Sequence, residues 1–442
     1  MAEFLKKIFL LSKNWKFYII ICFIASRFFI FATPPPYYSD VKADYERYAN
    51  IWYYGLPPYL EHLYEYPPST VPMLLLPLVL DQMGIGKYYP NYRIEILLID
   101  IVFFIFLFKS ILKLNLTNKT KYRSLYLYLF LTTLTRAFFY EGIDLAYTAA
   151  IISSFLILLW QKKNSWKGKI LSWTFFWLST SIKFLTFPMI IPLYLVTRSN
   201  FKKDILAIVA GFLIVWGLPL MIFRSSLMVS FVYNNARPLK YASFPAYIVE
   251  SINVFTKSEV PLNKAPDFPL QGPVADVITK VNKVSFPVIL MIYLILVAFF
   301  IAKKQQINLK KLFNFDKKEL VSLFKFKNPL NNEMQFHLLL KIYGLYIFIL
   351  FLTAKIFSQP FHIWYLPVLA LLQFKKEKHW YFMIALVLLM LLLDMTTILA
   401  IPKLDCIRDY KKYIQIVRGG MRFLPMLVMI VLIKGSLREE TK

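Results

Sequence analysis

The 442-residue sequence contains very little cysteine and glycine. Its two cysteines are Cys22, inside an apolar run, and Cys406. Two such separated thiols exclude a disulfide-stabilised scaffold and leave no basis for a cysteine-ligated metal cluster or dithiol redox chemistry. Glycine accounts for 12 residues, and the chain has no glycine-rich phosphate loop. Nucleotide-driven transport is therefore not expected.

Charged residues are also scarce. They make up 17% of the chain, whereas hydrophobic residues make up 58% and aromatic residues 18%. Soluble domains are typically about 45–50% apolar and ~25% charged, so a soluble protein of this composition would expose a large apolar surface to water. The composition therefore indicates an all-α protein that crosses the membrane several times.

The charged residues that are present are mostly basic, and the formal net charge is +27. In a soluble protein this charge would suggest nucleic-acid binding. In a polytopic membrane protein, however, lysine and arginine collect in cytoplasmic loops, so nucleic acid is not expected as a partner. The main basic clusters occupy residues 6–16, 109–123, 162–169, 198–203, 303–327 and 375–378.

Twelve apolar stretches are candidates for membrane spans of ~20 residues. They centre on residues 17–33, 92–108, 124–140, 142–160, 168–182, 184–197, 205–223, 284–302, 337–355, 358–374, 380–401 and 421–433. If every basic cluster faces the cytoplasm, both termini are cytoplasmic in a multi-pass protein of the cell membrane. Residues 71–80 are also apolar, but this short run contains Pro72 and Pro77. It is expected to form a juxtamembrane or re-entrant hairpin.

This topology places a set of polar segments on the extracytoplasmic side. They are residues 34–68, 139–144, 181–187, 224–283, 355–364 and 402–420. Polar residues that concentrate on one side of a membrane protein indicate a functional site that faces that side. The site is therefore expected to be extracytoplasmic.

The first outer loop, residues 34–68, is acidic, with five carboxylates and two basic side chains. Asp40 and Asp44 are four residues apart, so on a helix their side chains share one face. Such a pair suits a general base or a divalent-cation site. The alternative is structural: Ser39 and Asp40 would cap the first turn of a solvated helix.

Polar side chains in the other outer segments also allow two interpretations. Lys183 is either a ligand for a lipid phosphate or an anchor whose ammonium reaches the membrane surface. Arg237 and Lys355 pose the same question. A single histidine in an outer tip, such as His362, is usually a hydrogen-bonding residue rather than a catalyst.

Residues 39–68 contain, in order, the strings SDV, YERYA, GLPPY and EYPP. This order resembles the first outer loop of the GT-C glycosyltransferases, particularly the polyprenyl-phosphate-mannose type that includes relatives of GPI mannosyltransferase I. The resemblance implies that Asp40 is the catalytic aspartate of that loop and acts as the general base. Asp44 is a rival, because the gap from Asp40 to Tyr45 is one residue longer than the family pattern. Glu65 and Tyr66 are implied as substrate-binding residues.

Further segments match the same pattern in order. Residues 141–144 resemble the second-loop acid, which would be Asp144, and Lys183 resembles the lysine that binds the donor phosphate. Residues 234–243 resemble a stretch after the seventh span, and residues 359–367 resemble the late loop of the family. The remaining substrate-binding candidates implied by these segments are Arg237, Lys355, Gln359 and His362.

The resemblance implies a GT-C fold with about twelve transmembrane helices. A seven-span catalytic module would occupy residues 1–223, and a variable C-terminal module would occupy residues 224–442. The implied reaction is an inverting transfer of a sugar, with mannose expected, from a polyprenyl-phosphate donor to a lipid or glycan acceptor. A divalent cation held by Asp40, Asp44 and Asp144 is an open possibility.

Two other functions also remain open from the sequence. One is secondary transport of a lipid-linked or anionic solute, and the other is a non-catalytic role in the assembly of envelope polysaccharide. The transporter alternative lacks the paired helix interruptions and repeated halves that are usual in such proteins. The polar candidates lie mainly in outer loops rather than inside the spans, which favours the transferase.

The topology predicts a labelling pattern. In a variant without Cys22 and Cys406, single cysteines at positions 240 and 360 should react with an impermeant maleimide added to intact cells, because both positions lie in outer segments. A cysteine at position 118 should react only after permeabilisation. Reaction of position 118 in intact cells would mean that residues 71–80 cross the membrane and that the span count is wrong.

Overall fold

A computed structural model describes residues 14–36, 39–162, 165–240, 242–256, 270, 272–305, 329–400 and 411–439. Throughout these ranges the chain forms helices joined by turns and irregular segments, and it contains no β-strand. An isolated bridge between Pro58 and His62 is the exception to this all-helical pattern among the described residues. The expectation of an all-α protein is therefore confirmed.

Sixteen α-helices follow one another in the described part of the chain. They are α1 (Trp15–Ala32), α2 (Glu46–Tyr53), α3 (Thr70–Gln82), α4 (Tyr88–Lys113), α5 (Asn118–Leu134), α6 (Asp144–Leu156), α7 (Trp166–Ile182), α8 (Ile190–Thr197), α9 (Phe201–Phe223), α10 (Met228–Ala236), α11 (Phe244–Phe255), α12 (Pro273–Lys304), α13 (Asn332–Thr353), α14 (Leu366–Leu371), α15 (Glu377–Ala400) and α16 (Lys411–Glu439). A π-helical turn covers Val41–Tyr45, and 3₁₀ segments cover Ile157–Leu159, Phe184–Met189, Arg224–Leu227 and Gln359–Trp364.

Five helical segments of the described chain are long and apolar enough to cross a membrane. They are Trp15–Ala32, Phe201–Ala236, Pro273–Lys304, Asn332–Thr353 and Gly419–Leu437. A helix rises about 1.5 Å per residue, so roughly 20 residues match the ~30 Å hydrocarbon layer. These segments fit a helical membrane protein, whereas the count of twelve spans stays a prediction.

Residues 358–374 differ from their sequence-based prediction as one span. They form the 3₁₀ segment Gln359–Trp364 followed by the six-residue helix α14. Pro360 and Pro367 are the second residues of these two segments, where the missing amide hydrogen and the fixed φ of proline are tolerated. All of α14 is buried within the protein. This part of the chain is therefore not a continuous membrane-spanning helix.

Residues 71–80 lie within α3, which has 13 residues and is about 20 Å long by helical rise. Gly84 and Gly86 follow with positive φ angles of 78° and 74°, and α4 then packs back against α3. A Cβ atom at Gly86 would lie 2.6 Å from the side-chain oxygen of Asn91, so the tight turn requires glycine. Residues 71–80, which the sequence predicts as a hairpin, therefore form part of one continuous helix, and the hairpin in the structure pairs α3 with α4.

The first of two compact units comprises residues 1–184, 208–230 and 362–371. Within it, α6 packs against both α4 and α7, and α5 packs against both α1 and α14. Every residue of α6 is buried, so this helix lies at the centre of the unit. Asp144 is the first residue of α6, so its carboxylate lies inside the unit.

A buried ion pair links α1 to α4 inside this unit. Arg27 donates to both carboxylate oxygens of Asp100, from Nε at 2.7 Å and from Nη2 at 3.0 Å. Thr132 accepts a further hydrogen bond from Arg27, and the Tyr140 hydroxyl donates to Asp100 at 2.8 Å. Buried charges are tolerated in such a bidentate, hydrogen-bonded arrangement. The hydrogen bond from Tyr140 to Asp100 holds Tyr140, the residue before Glu141, against α4.

The second unit comprises residues 185–207, 231–361 and 372–442. Its helix α13 packs against α8, α11, α12 and α16, and α11 also packs against α16. At the second contact a Cβ atom on Gly419 would lie 2.2 Å from the Tyr247 ring, so the ring requires a glycine there. One turn further along α11, Glu250 is buried, and this burial raises its pKa to about 7 although Arg422 opposes the shift.

The buried Glu250 predicts a pH dependence of stability. Its pKa rises from 4.5 to about 7 on folding, so between these values the folded protein binds more protons than the unfolded chain. Stability therefore falls as the pH rises through that window. The apparent melting temperature of detergent-solubilised protein should decrease between pH 5 and pH 7.5, and Glu250→Gln should flatten that decrease. Parallel curves for the two proteins would contradict the prediction.

Candidate functional site

A second buried ion pair lies at the start of α6. Asp144 is 4% exposed, and its Oδ1 lies 2.6 Å from Nζ of Lys183. Nε1 of Trp364 donates to the same oxygen at 2.5 Å, and the Lys183 ammonium lies 4.8 Å from the centre of the Trp364 ring. Three segments that are distant in sequence therefore meet at one carboxylate.

The helix ends explain why these side chains meet. Asp144 is the first residue of α6, where a carboxylate is favoured by the positive end of the helix dipole. Lys183 follows the last residue of α7 in an extended conformation, and its amide bonds the Ser179 carbonyl at 2.9 Å. Because α6 and α7 pack together along their length, the start of one lies near the end of the other. Trp364 is the last residue of the 3₁₀ segment Gln359–Trp364.

Glu141, three residues before Asp144, is another buried carboxylate and is 4% exposed. The hydroxyls of Ser39 and Tyr89 each donate to it at 2.6 Å, and Nε of Arg93 lies 3.5 Å from Oε1. Ser39 immediately precedes Asp40. Glu141 therefore fixes the start of the first-loop helix to the segment that leads into Asp144.

Tyr45 belongs to the first outer loop and interacts electrostatically with both Asp40 and Asp144. Burial raises the pKa of its phenol well above the ordinary value, and Tyr66, Asp40 and Asp144 raise that pKa further. The phenol is therefore neutral at physiological pH, and it makes a side-chain hydrogen bond with Tyr66. A Cβ atom on Gly142 would lie 3.0 Å from Oδ2 of Asp144 and 3.8 Å from the Tyr45 hydroxyl. Because Gly142 has no side chain, the Asp144 carboxylate and the Tyr45 hydroxyl can both lie close to its backbone.

The two first-loop acids have different surroundings. Asp44 accepts a hydrogen bond from Arg47 at 2.8 Å, in a pair whose side chains are 29% and 59% exposed. Asp40 is half-buried at the start of the π-helical turn, and its negative charge raises the pKa of the Tyr45 phenol. Asp40 and Asp144 thus share Tyr45 as a neighbour, whereas Asp44 is engaged at the surface.

The capping alternative for Ser39 and Asp40 does not match the structure. The Ser39 hydroxyl donates to Glu141, and the Asp40 side chain makes no capping hydrogen bond in the described helix start. The Ser39 carbonyl, rather than its side chain, accepts from the amides of Lys42 and Ala43. These bonds continue the helix, so the carboxylate of Asp40 is not used for capping.

Glu65 and Tyr66 are placed by the aromatic core of the first loop. Glu65 is 8% exposed, and the Tyr66 ring packs edge-on against Tyr45 with centroids 5.9 Å apart. The Tyr59 hydroxyl donates to the Tyr66 carbonyl at 2.6 Å. Tyr59 itself has a φ of 67°, an unusual conformation for an aromatic residue. Tyr66 therefore packs beside Tyr45. The turn at Tyr59, which has the strained positive φ, holds Tyr66 in that position through the hydrogen bond to its carbonyl.

The 3₁₀ segment Gln359–Trp364 supplies Trp364, which donates to Asp144 beside Lys183. The same segment contains His362, which lies inside the protein. His362 is fully buried, and its Nδ1 lies 2.5 Å from the Tyr365 hydroxyl. This position fits the interpretation of His362 as a satisfied hydrogen-bonding residue. Trp364 and Glu141 are the residues that the sequence reasoning did not single out, although both lie within strings that carry the family resemblance.

Three further predicted site residues belong to the second unit, whereas Asp144 and Lys183 belong to the first. Gln359 begins the 3₁₀ segment, and Lys355 donates from Nζ to the Asn235 carbonyl at 2.5 Å. Burial lowers the pKa of Lys355, and the positive charges of Lys283 and Arg237 lower it further. Arg237 and Lys355 therefore lie in one basic neighbourhood.

Two carboxylates of the site are bonded to nitrogen donors. Across the described ranges, no group of three or more histidine, cysteine, aspartate or glutamate side chains is arranged to hold a metal ion. Asp44 contacts Arg47, and Asp144 contacts Lys183 and Trp364.

Comparison of the chain with protein-family models, curated proteins and solved structures found no match. The resemblance to GT-C glycosyltransferases therefore stays an expectation based on short sequence strings. What the structure contributes is the spatial arrangement of those strings, which lie far apart in the chain.

The ion pair between Asp144 and Lys183 predicts a coupled effect on stability. Removal of one partner leaves the other charge buried and costs about 3–5 kcal/mol. Asp144→Asn and Lys183→Met should each lower the apparent melting temperature in detergent by several degrees, whereas the double variant should recover much of that loss. Asp44→Asn is the matched control, because it removes an exposed pair of little energetic value. A double variant whose loss equals the sum of the single losses would show that the pair is not coupled.

Proposed function

We propose that this protein is a GT-C-type membrane glycosyltransferase. It transfers a sugar, with mannose expected, from a polyprenyl-phosphate donor to a lipid or glycan acceptor on the extracytoplasmic side of the cell membrane. The observation that carries the proposal is the convergence of the first outer loop on the ion pair of Asp144 and Lys183. The first-loop acids, Asp144 and the cation of Lys183 lie in one unit.

The proposed reaction requires a base on one face of the sugar. The acceptor hydroxyl attacks the anomeric carbon, its proton passes to a carboxylate, and the bond from the anomeric carbon to the phosphate oxygen breaks with inversion. The electron pair of that bond leaves with the polyprenyl phosphate. Asp40 is the proposed base, because it interacts electrostatically with the Tyr45 phenol, as Asp144 does, whereas Asp44 is paired with Arg47 at the surface.

The leaving phosphate requires cationic stabilisation on the opposite face. Lys183 is the proposed donor-phosphate ligand, because its ammonium is a compact cation on a flexible stem and lies in the same unit as the first-loop acids. Trp364 also donates to Asp144, so the carboxylate keeps a partner when the lysine turns toward phosphate. Stabilisation of charge that develops in the transition state would lower the barrier.

The proposal extends to the topology. It takes both termini as cytoplasmic, about twelve spans, residues 1–223 as the catalytic module and residues 224–442 as a variable module. A donor carried by a lipid is consistent with an outer site, because cytoplasmic nucleotide sugars do not reach that side of the membrane. Helix α3, close in sequence to the first loop, would lie at the outer surface.

The proposed base is tested by neutralising each first-loop acid. Asp40→Asn should lower sugar transfer from a labelled polyprenyl-phosphate donor by about 10²–10⁴-fold, because loss of a general base has costs of that size. Asp44→Asn should retain most of the activity, because its carboxylate is engaged with Arg47. The melting temperature of each purified variant reports whether folding is intact.

The opposite results would redirect the assignment. An inactive Asp44→Asn beside an active Asp40→Asn would move the role of base to Asp44. Full activity in both variants would remove the carboxylate mechanism. A purified protein that moves a lipid-linked solute across vesicles without transferring sugar would support the transporter alternative instead. Absence of both activities would support a non-catalytic role in polysaccharide assembly.

A further inference from the structure

Helix α4 carries two acidic side chains, Glu95 and Asp100, within the stretch that the sequence predicts as its membrane span. Asp100 is fully buried and is compensated by Arg27, whose Nε lies 2.7 Å from its carboxylate. Glu95 is half-buried, and its Oε2 is buried without a hydrogen-bond partner in the described part of the chain. An unpaired acid inside a membrane-spanning helix is costly, and it therefore marks a candidate functional site.

Two tyrosines of α4 share the face that carries Glu95. Tyr88, Tyr92 and Glu95 follow one another at intervals of four and three residues, which aligns them along one side of a helix. Tyr88 is 1% exposed and Tyr92 is 0% exposed, and within the described ranges neither hydroxyl has a hydrogen-bond partner. Tyr92 interacts electrostatically with both Tyr88 and Glu95. These three side chains form a polar row that is about 10 Å long by helical rise.

The charged groups of the elements packed against the polar row are acidic. Asp81 of α3 accepts a hydrogen bond from the Tyr88 amide at 3.0 Å. Glu46 of α2 interacts electrostatically with Tyr88, and Asp144 of α6 interacts in the same way with Tyr92. These carboxylates supply no positive charge to the row, and they oppose a further negative charge on it.

The basic side chains near this part of α4 are engaged away from the polar row. Arg27 pairs with Asp100. Arg93 donates to a carbonyl of α1 at 2.9 Å, and the Lys42 ammonium lies 4.5 Å from the centre of the Tyr89 ring. A buried carboxylate without a cation is unfavourable, so such a group takes up a proton instead. The carboxyl group of the row is therefore expected to be neutral.

The polar row passes beside the first outer loop. The Tyr92 ring packs against the Tyr45 ring with centroids 5.6 Å apart. Tyr45 in turn interacts electrostatically with Asp40 and Asp144. From this contact the row continues to Glu95, which lies about one helical turn further along α4. A series of hydroxyl groups thus leads from the acids of the outer segments to the unpaired carboxyl.

We propose that Glu95, Tyr92 and Tyr88 form a buried proton-binding site that exchanges protons with the first outer loop through Tyr45. Glu95 holds the proton as a neutral carboxylic acid, and ordered water bridges it to the two phenols. Each of these groups accepts a hydrogen bond and donates one, so a proton can pass along the row while each group releases its own. This inference does not rest on the proposed transferase, because the proton is detected without sugar transfer.

Infrared difference spectroscopy of the purified full-length protein in detergent measures this proton directly. At pH 7 the wild-type protein should show the C=O stretch of a protonated carboxyl group, and Glu95→Gln should remove that band. Glu250→Gln is the matched control, because it removes another buried acid and should leave the Glu95 band in place. If Glu95→Gln leaves the protonated-carboxyl bands of the wild type unchanged, Glu95 is ionised and the proposal is overturned.

The route through Tyr92 is tested by hydrogen–deuterium exchange of the same band. Transfer to D₂O shifts the band as the carboxyl O–H becomes O–D. Tyr92→Phe should slow this shift at least about tenfold, a factor that corresponds to ~1.4 kcal/mol, because it interrupts the polar row. Tyr126→Phe removes one phenol at an exposed position of α5 and should leave the rate unchanged. Exchange at the wild-type rate in Tyr92→Phe would overturn the proposed route.

A chemical probe of the unmodified sequence covers the case in which Glu95→Gln does not fold. Dicyclohexylcarbodiimide enters apolar regions and reacts with protonated carboxyl groups, whose O–H adds across its C=N bond. Mass spectrometry of the treated protein should find the adduct on Glu95. Asp100 is the internal control, because its carboxylate is paired with Arg27 and should not react. Absence of an adduct on Glu95 would contradict the proposal.

Discussion

The buried charge of Asp144 is the constraint on which the rest of the site depends. A carboxylate that is only 4% exposed is stable only with a cation and hydrogen-bond donors around it. Lys183 supplies the cation and Trp364 supplies a donor. Lys183 follows α7, and Trp364 ends the 3₁₀ segment Gln359–Trp364. Both segments must therefore fold back to the start of α6. The long-range order of the first unit follows from that requirement.

A series of buried polar contacts extends the constraint to the first loop. Arg27 and Asp100 hold Tyr140 against α4, and the next residue is Glu141. Glu141 then binds the Ser39 hydroxyl, one residue before Asp40. Each contact in an apolar environment is strong when satisfied and costly when broken, so the series positions the first loop more firmly than a surface turn would. The half-buried position of Asp40 is a consequence of this series.

Sequence patterns predicted the helices well and the contacts only in part. Hydropathy and charge bias place most predicted spans on observed helices, because apolar length is a local property. Asp144 and Lys183 are recognised individually, but their pairing depends on how α6 packs against α7. Trp364 is missed because its role depends on a partner 220 residues away. The predicted span at 358–374 fails because two prolines start new helical segments where hydropathy alone suggests continuity.

The environments of the acids also separate roles that spacing leaves equivalent. Asp40 and Asp44 are both available on a helix drawn from sequence, yet Arg47 engages Asp44 at the surface. Asp144 has one oxygen shared by Lys183 and Trp364, which suits it to holding the lysine in place. A transfer reaction needs a proton acceptor and a cation on opposite sides of the reacting carbon, and a single ion pair does not supply both. Assigning Lys183 to the phosphate therefore requires a different carboxylate as base, and Asp40 is the acid that the Glu141 contacts bring to this region.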